Sequence, residues 1–170
     1  MKTLPALIFV VSALFFPILC PAADSTSADL EDVFSARGFD GCLVLRQGAH
    51  TLRVNPQRAA RGFRPASTFK IVNALVALES GAAQDTTLLL PWDGVVRAVP
   101  AWNADLTLEQ AFRASAVWYF EELGRRNGRA RLGAALRALS YGNADVRGSD
   151  RFWLDGGLRI SAEQQVRCLD

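Results

Sequence analysis

Apolar positions recur along the chain with two different periods. Between residues 65 and 81, Ile71, Ala74, Leu75 and Leu78 fall on one helical face, and Val72, Val76 and Ala77 make the other faces apolar too. The pattern predicts a buried helix with Gly81 as its C-cap. Upstream the period shortens to two. Residues 42–46 and 50–54, joined by Gln47, Gly48 and Ala49, predict a β-hairpin, and Leu30, Val33 and Phe34 predict a short helix ending at Gly38. Downstream the chain reads as helix and loop. A loop over 82–105 carries Trp92 and Trp102; helices run through Val117, Phe120 and Leu123 and through Leu132, Leu136 and Leu139. Capping boxes at Thr107/Gln110 and Ser161/Gln164 open two more. There is no internal repeat.

The first turn of the long helix carries Ser67 and Lys70, three apart and therefore on one face, beside the free N–H groups and positive dipole end of that helix. A nucleophile is favoured there. Of the 19 basic residues, 17 are arginine, and the two lysines are Lys2 and Lys70. A codon bias toward arginine accounts for the many, but not for the lysine kept at position 70. Arginine holds its charge at any pH a protein meets, whereas a lysine buried among Phe69, Ile71 and similar neighbours loses its proton near neutrality and becomes a base.

Composition narrows the setting. Lys2, an apolar run from Leu4 to Leu19 and small residues at Cys20, Ala22 and Ala23 predict a secretory signal peptide over 1–22, with delivery to the periplasm and no stable membrane anchor. Residues 23–170 then form one partial domain, long enough for a real core. A net charge of +2 with arginines scattered over the chain gives no basic stripe, which argues against nucleic acid. Cys42 and Cys168 either pair or pack as small apolar residues. The single histidine, His50, lies by the hairpin turn and reads as a surface residue, so a Ser-His-Asp triad is not expected. No His/Cys cluster has metal-ligand spacing, and no Gly-rich loop has phosphate-binding spacing. Serine chemistry with a lysine base remains.

The expected class is α+β, with a deficit of strands. A lone hairpin is marginal in water, and the helix opened by Ser161 runs for only about two turns, short of the ~12 residues an isolated helix needs. The missing sheet strands are expected in residues after Asp170.

Ser-x-x-Lys alone is a weak signal. It gains weight from Ser115-Ala-Val117 at a turn between helices, from Tyr141-Gly-Asn143 and from Phe152-Trp-Leu154. Alone, Trp153 reads as a core aromatic and Ser115 as a helix cap. Together with Pro65-Ala-Ser-Thr-Phe-Lys70 and the run from Phe152 to Ser161, in this order, they resemble the class D (oxacillinase-type) serine β-lactamases over about residues 41–165.

The resemblance implies a serine β-lactamase/transpeptidase-like fold and hydrolysis of β-lactams such as penicillins and oxacillin, hence resistance to them. It implies Ser67 as the nucleophile that forms an acyl-enzyme, and Lys70 as general base in the form of a CO2-derived carbamate. It further implies Trp153 as a donor to that carbamate, Ser115 as proton relay, Val117 and Leu154 as walls that keep the pocket dry, and Trp102 at the substrate entrance. No other cofactor and no metal is implied. The family's Lys-Thr/Ser-Gly strand is absent from these 170 residues, so the chain by itself is expected to be unstable and inactive. Two other readings stand beside the enzyme: a β-lactam-sensing domain that acylates once, and a partial gene product.

Overall fold

The computed structural model describes residues 25–26 and 28–170; the signal peptide expected over 1–22 lies outside them. The elements, in order, are β1 (Ser25–Thr26), α1 (Ala28–Ser35), β2 (Leu43–Gln47), β3 (His50–Val54), α2 (Pro56–Ala59), a 3-10 turn (Ala66–Thr68) and α3 (Phe69–Ser80). Then come β4 (Leu89–Leu90), a second 3-10 turn (Pro100–Trp102), β5 (Leu106–Thr107), α4 (Leu108–Arg113), α5 (Val117–Asn127), α6 (Arg129–Ala138) and α7 (Ala162–Leu169).

The expected hairpin forms as the antiparallel pair β2–β3, in register from Leu43↔Val54 to Gln47↔His50. Its turn is shorter than read from sequence, because Gln47 belongs to the ladder and Gly48, at φ 57°, takes the left-handed corner. Three pieces escaped the pattern. β1 pairs in parallel with β3, giving the order β1-β3-β2, and β4, inside the stretch read as loop, pairs with β5 just beyond its end. The short α2 starts at Pro56, with the Asn55 side chain accepting from Arg58 N. Two-residue ladders carry too few positions to show an alternation.

The long helix differs from the expectation in two ways. The α-helix begins at Phe69, so Ser67 sits in the 3-10 turn before it, not in its first turn. Nor is the helix buried all round. Its core face is Phe69, Lys70, Val72, Asn73, Ala74, Val76 and Ala77, while Leu75 is 56% exposed and Ile71 and Leu78 are half-buried. Apolar residues on every face left the orientation undetermined; a buried asparagine determines it. Asn73 Nδ2 donates to Phe120 O at 2.9 Å, and Asn127 Nδ2 donates to Asn73 O and Oδ1 at 2.9 and 2.8 Å. These bonds lock α3 onto α5, because an unpaired amide buried there would be costly.

Both expected capping boxes are complete, at Thr107/Gln110 and Ser161/Gln164. The connection from α6 to α7 is long and is held at its ends by polar contacts. Asn143 N donates to Arg159 O (3.0 Å), Arg159 N to Asn143 Oδ1 (2.9 Å) and Asn143 Nδ2 to Gly157 O (2.9 Å). Gly142, at φ 58°, lets the backbone approach Arg159; a Cβ there would lie 1.7 Å from Arg159 O. Gly142→Ala is therefore expected to destabilise the fold by more than about 3 kcal/mol, read as a lower denaturant midpoint at unchanged slope. Ala66, at φ 49°, is the opposite case. Ala66→Gly relieves left-handed strain and is expected to gain up to about 1 kcal/mol in the same measurement.

Candidate active site

Ser67 and Lys70 are brought together by the 3-10 turn running into α3, and Ser115 arrives from the α4–α5 corner. Lys70 Nζ lies 2.8 Å from Ser67 Oγ and 3.0 Å from Ser115 Oγ, and the two hydroxyl oxygens are 2.9 Å apart. The three atoms form a closed triangle of hydrogen-bonding distances. Ser115 holds its corner at φ 54°, a left-handed conformation that a non-glycine residue adopts only when its surroundings enforce it.

Burial divides the triangle. Ser67 is exposed, whereas Lys70 is 2% exposed. Leaving water disfavours the ammonium form, so burial pushes the Lys70 amine below its ordinary 10.5. An uncharged amine has a lone pair, and its nearest hydroxyls are those of Ser67 and Ser115. An arginine here could not respond in this way.

The dry wall on one side is aromatic. Phe69 stacks on Trp153 at 5.1 Å with 23° between the planes, and meets Phe152 edge-on at 5.1 Å and Tyr141 at 6.4 Å. Trp153 is fully buried, and its carbonyl accepts from Ala66 N at 3.2 Å, tying the loop that carries it to the residue before Ser67. Among the described residues, the indole Nε1 of Trp153 has no acceptor. A buried donor without a partner is expensive, and this one lies in the wall beside the lysine-bearing helix.

The other expected site residues are placed less centrally. Trp102 is half-buried and donates from Nε1 to Ala114 O at 2.8 Å, so it braces the chain next to Ser115, and its own carbonyl accepts from Trp118 Nε1 at 2.9 Å. Val117 opens α5, half-buried, and Leu154 packs half-buried against the core. Cys42 and Cys168 are free thiols, and Cys168 packs against the core. Among the described residues no helix is long and apolar enough to cross a membrane.

Three contributors were not read from the sequence. Phe69 was read only as an apolar neighbour of Lys70 and Tyr141 only as part of a motif, neither as a member of an aromatic cluster. Gln165 Nε2 donates to Thr68 Oγ1 at 2.6 Å, and Thr68 Oγ1 donates to Pro65 O at 2.7 Å, so α7 supports the turn that presents Ser67. Nothing in the spacing of Gln165 announces a partner 97 positions away.

Comparison with known proteins identifies the family. The penicillin binding protein transpeptidase domain matches residues 44–170. Beta-lactamase OXA-10 of Pseudomonas aeruginosa is 38% identical over 173 residues, which take in 100% of this chain and 64% of that protein. The crystal structure of a class D beta-lactamase from Sebaldella termitidis superposes with a TM-score of 0.82 at 29% identity, covering 86% of this chain and 60% of that one. The regulatory protein BlaR1 of Bacillus licheniformis is 37% identical over 138 residues, 81% of this chain and 23% of BlaR1. The chain thus spans less than two thirds of the length of these relatives.

The buried amine has a stability signature. Because its folded value lies below 10.5, the folded state is penalised wherever the unfolded chain holds the proton more tightly. The penalty is full at pH below the folded value, shrinks as pH rises through it and vanishes above 10.5. In CO2-free buffer, Lys70→Met is expected to raise the melting temperature most at the acid end of the range, with the gain narrowing toward alkaline pH.

Proposed function

Since the chain belongs to the penicillin binding protein transpeptidase domain family, with class D β-lactamases among its relatives, we propose that its site opens β-lactams through a serine acyl-enzyme. The observation that carries the reading is the triangle of Ser67, Lys70 and Ser115 around an amine whose pKa burial lowers. Ser67 Oγ attacks the lactam carbonyl carbon while its proton leaves toward the Lys70 side chain. The C–N bond of the ring then breaks, and Ser115 hands a proton to the departing nitrogen. The acyl group stays on Ser67 until water removes it. The N–H of Ser67 supplies one donor to the carbonyl oxygen as it gains charge.

The residues present suit a carbamate on Lys70. An uncharged amine can take up CO2, and the resulting anion needs a donor in a dry wall, where Trp153 Nε1 is buried without an acceptor among the described residues. Such a group would supply carboxylate basicity at the end of the lysine side chain. Val117 and Leu154 exclude water on the two flanks, and Trp102 borders the approach to Ser67. We propose further that the chain is exported to the periplasm, and that the complete activity confers β-lactam resistance.

The similarity to a regulatory protein supports a second reading, a sensor that acylates and does not turn over. Both share the first half of the chemistry and part at deacylation. Incubation of the full-length protein, with the Lys-Thr/Ser-Gly strand restored, with a penicillin is expected to add one penicilloyl mass, on Ser67, and Ser67→Ala is expected to abolish it. An adduct that persists for hours favours the sensor; one that decays, faster with added bicarbonate and not at all in Lys70→Ala, favours the hydrolase. Robust nitrocefin turnover by the 170-residue polypeptide would overturn the expectation that it is inactive alone.

A further inference from the structure

The loop between α6 and α7 delivers Phe152, Trp153 and Leu154, yet between Ala144 and Arg151 it has no strand partner. One side chain takes the place of a ladder. Arg129, the first residue of α6, donates from Nη1 to Val146 O and from Nη2 to Ser149 O at 2.7 Å and to Gly148 O at 3.0 Å. The same nitrogen pairs with Asp150 Oδ1 at 3.2 Å, and the guanidinium carbon stands 5.2 Å from the centre of the Phe152 ring. Three carbonyls and a carboxylate converge on one planar fork, which no other cationic side chain can satisfy together.

The segment so gripped leads directly into the site. Phe152 meets Trp153 edge-on at 5.3 Å and Phe69 at 5.1 Å, and Trp153 stacks on Phe69, the neighbour of Lys70. Backbone freedom at 146–150 would therefore reach the Trp153 indole after two aromatic contacts. The two ends of the loop are fastened to each other separately, by Asn143 with Gly157 and Arg159, so loss of the arginine frees the middle of the loop and leaves its ends anchored. Arg125 also reaches Asp150, at 3.1 Å, but none of its hydrogen bonds goes to the loop's carbonyls.

We propose that Arg129 is a positioning residue that sets how tightly Lys70 holds CO2, by fixing the loop that aims Trp153 Nε1. The inference rests on the carbamate reading given above. It assigns a role in the site to a residue that touches neither Ser67, Lys70 nor substrate. Lysine at position 129 would keep the charge but offer a point donor to one or two of the carbonyls, so it restores part of the effect.

The test is carbon-13 NMR of the full-length protein, these residues together with the Lys-Thr/Ser-Gly strand, titrated with labelled bicarbonate, with thermal unfolding and the indole N–H resonance of Trp153 recorded on the same samples. Lys70→Ala identifies the carbamate signal by its loss. For Arg129→Met the bicarbonate needed for half-saturation is expected to rise about tenfold, the scale on which outer supports tune a bound group, with a smaller rise for Arg129→Lys. The Trp153 indole resonance is expected to move with bicarbonate in the parent chain and to broaden in Arg129→Met. Equal half-saturation in the parent and in folded Arg129→Lys and Arg129→Met overturns the inference while leaving the carbamate reading in place. Should Arg129→Met fail to fold, Arg129→Lys alone decides, since unchanged half-saturation and an unchanged indole resonance in that variant overturn the inference. Absence of the signal in the parent chain overturns the carbamate reading, and the inference falls with it.

Discussion

The desolvation of one amine is the constraint from which the rest of the arrangement follows. Lys70 is 2% exposed on a helix whose buried face is otherwise apolar apart from Asn73. An ammonium in that position would need a carboxylate partner, but its hydrogen-bonding neighbours are two hydroxyls, with the ring of Phe120 at 5.7 Å. Hydroxyls can donate to an uncharged nitrogen as readily as accept from it, so the surroundings tolerate the neutral form. The Asn73–Asn127 lock, the aromatic wall and the bent corner at Ser115 fix the elements that surround the helix carrying that nitrogen.

How much of this could be read from the residues depends on how local each feature is. Helices α4 to α7 announced themselves through period and caps, because those signals span only a few positions. The grouping of Ser67 with Lys70 was legible for the same reason. The 3-10 turn that carries Ser67 was not, since three residues of tighter winding ahead of the helix leave its apolar spacing unchanged. β1, β4 and β5 were illegible because each strand is two residues long and its partner is distant.

The site shows the same division. Ser115 and Trp153 were singled out through short motifs, and both lie where those motifs suggested, at a helix corner and in a wall. The partners that hold them were invisible. Phe69 meets Tyr141, Phe152 and Trp153 from more than seventy positions away, and Arg129 is engaged mainly by backbone carbonyls, which every residue type possesses. A contact to a carbonyl leaves no trace in the composition of the contacted segment. Such fastenings emerge only from coordinates.

The left-handed turns at Ala66 and Ser115 carry one more consequence. A chain shaped only by thermodynamic economy would have glycine at both, since glycine enters that region without steric cost. A methyl or hydroxymethyl branch there narrows the basin on every side, so the two corners vibrate less although each sits higher in energy. The hydroxyl pair is thereby mounted on stiff, slightly compressed supports, and little backbone rearrangement remains to be done when a bond forms at Ser67.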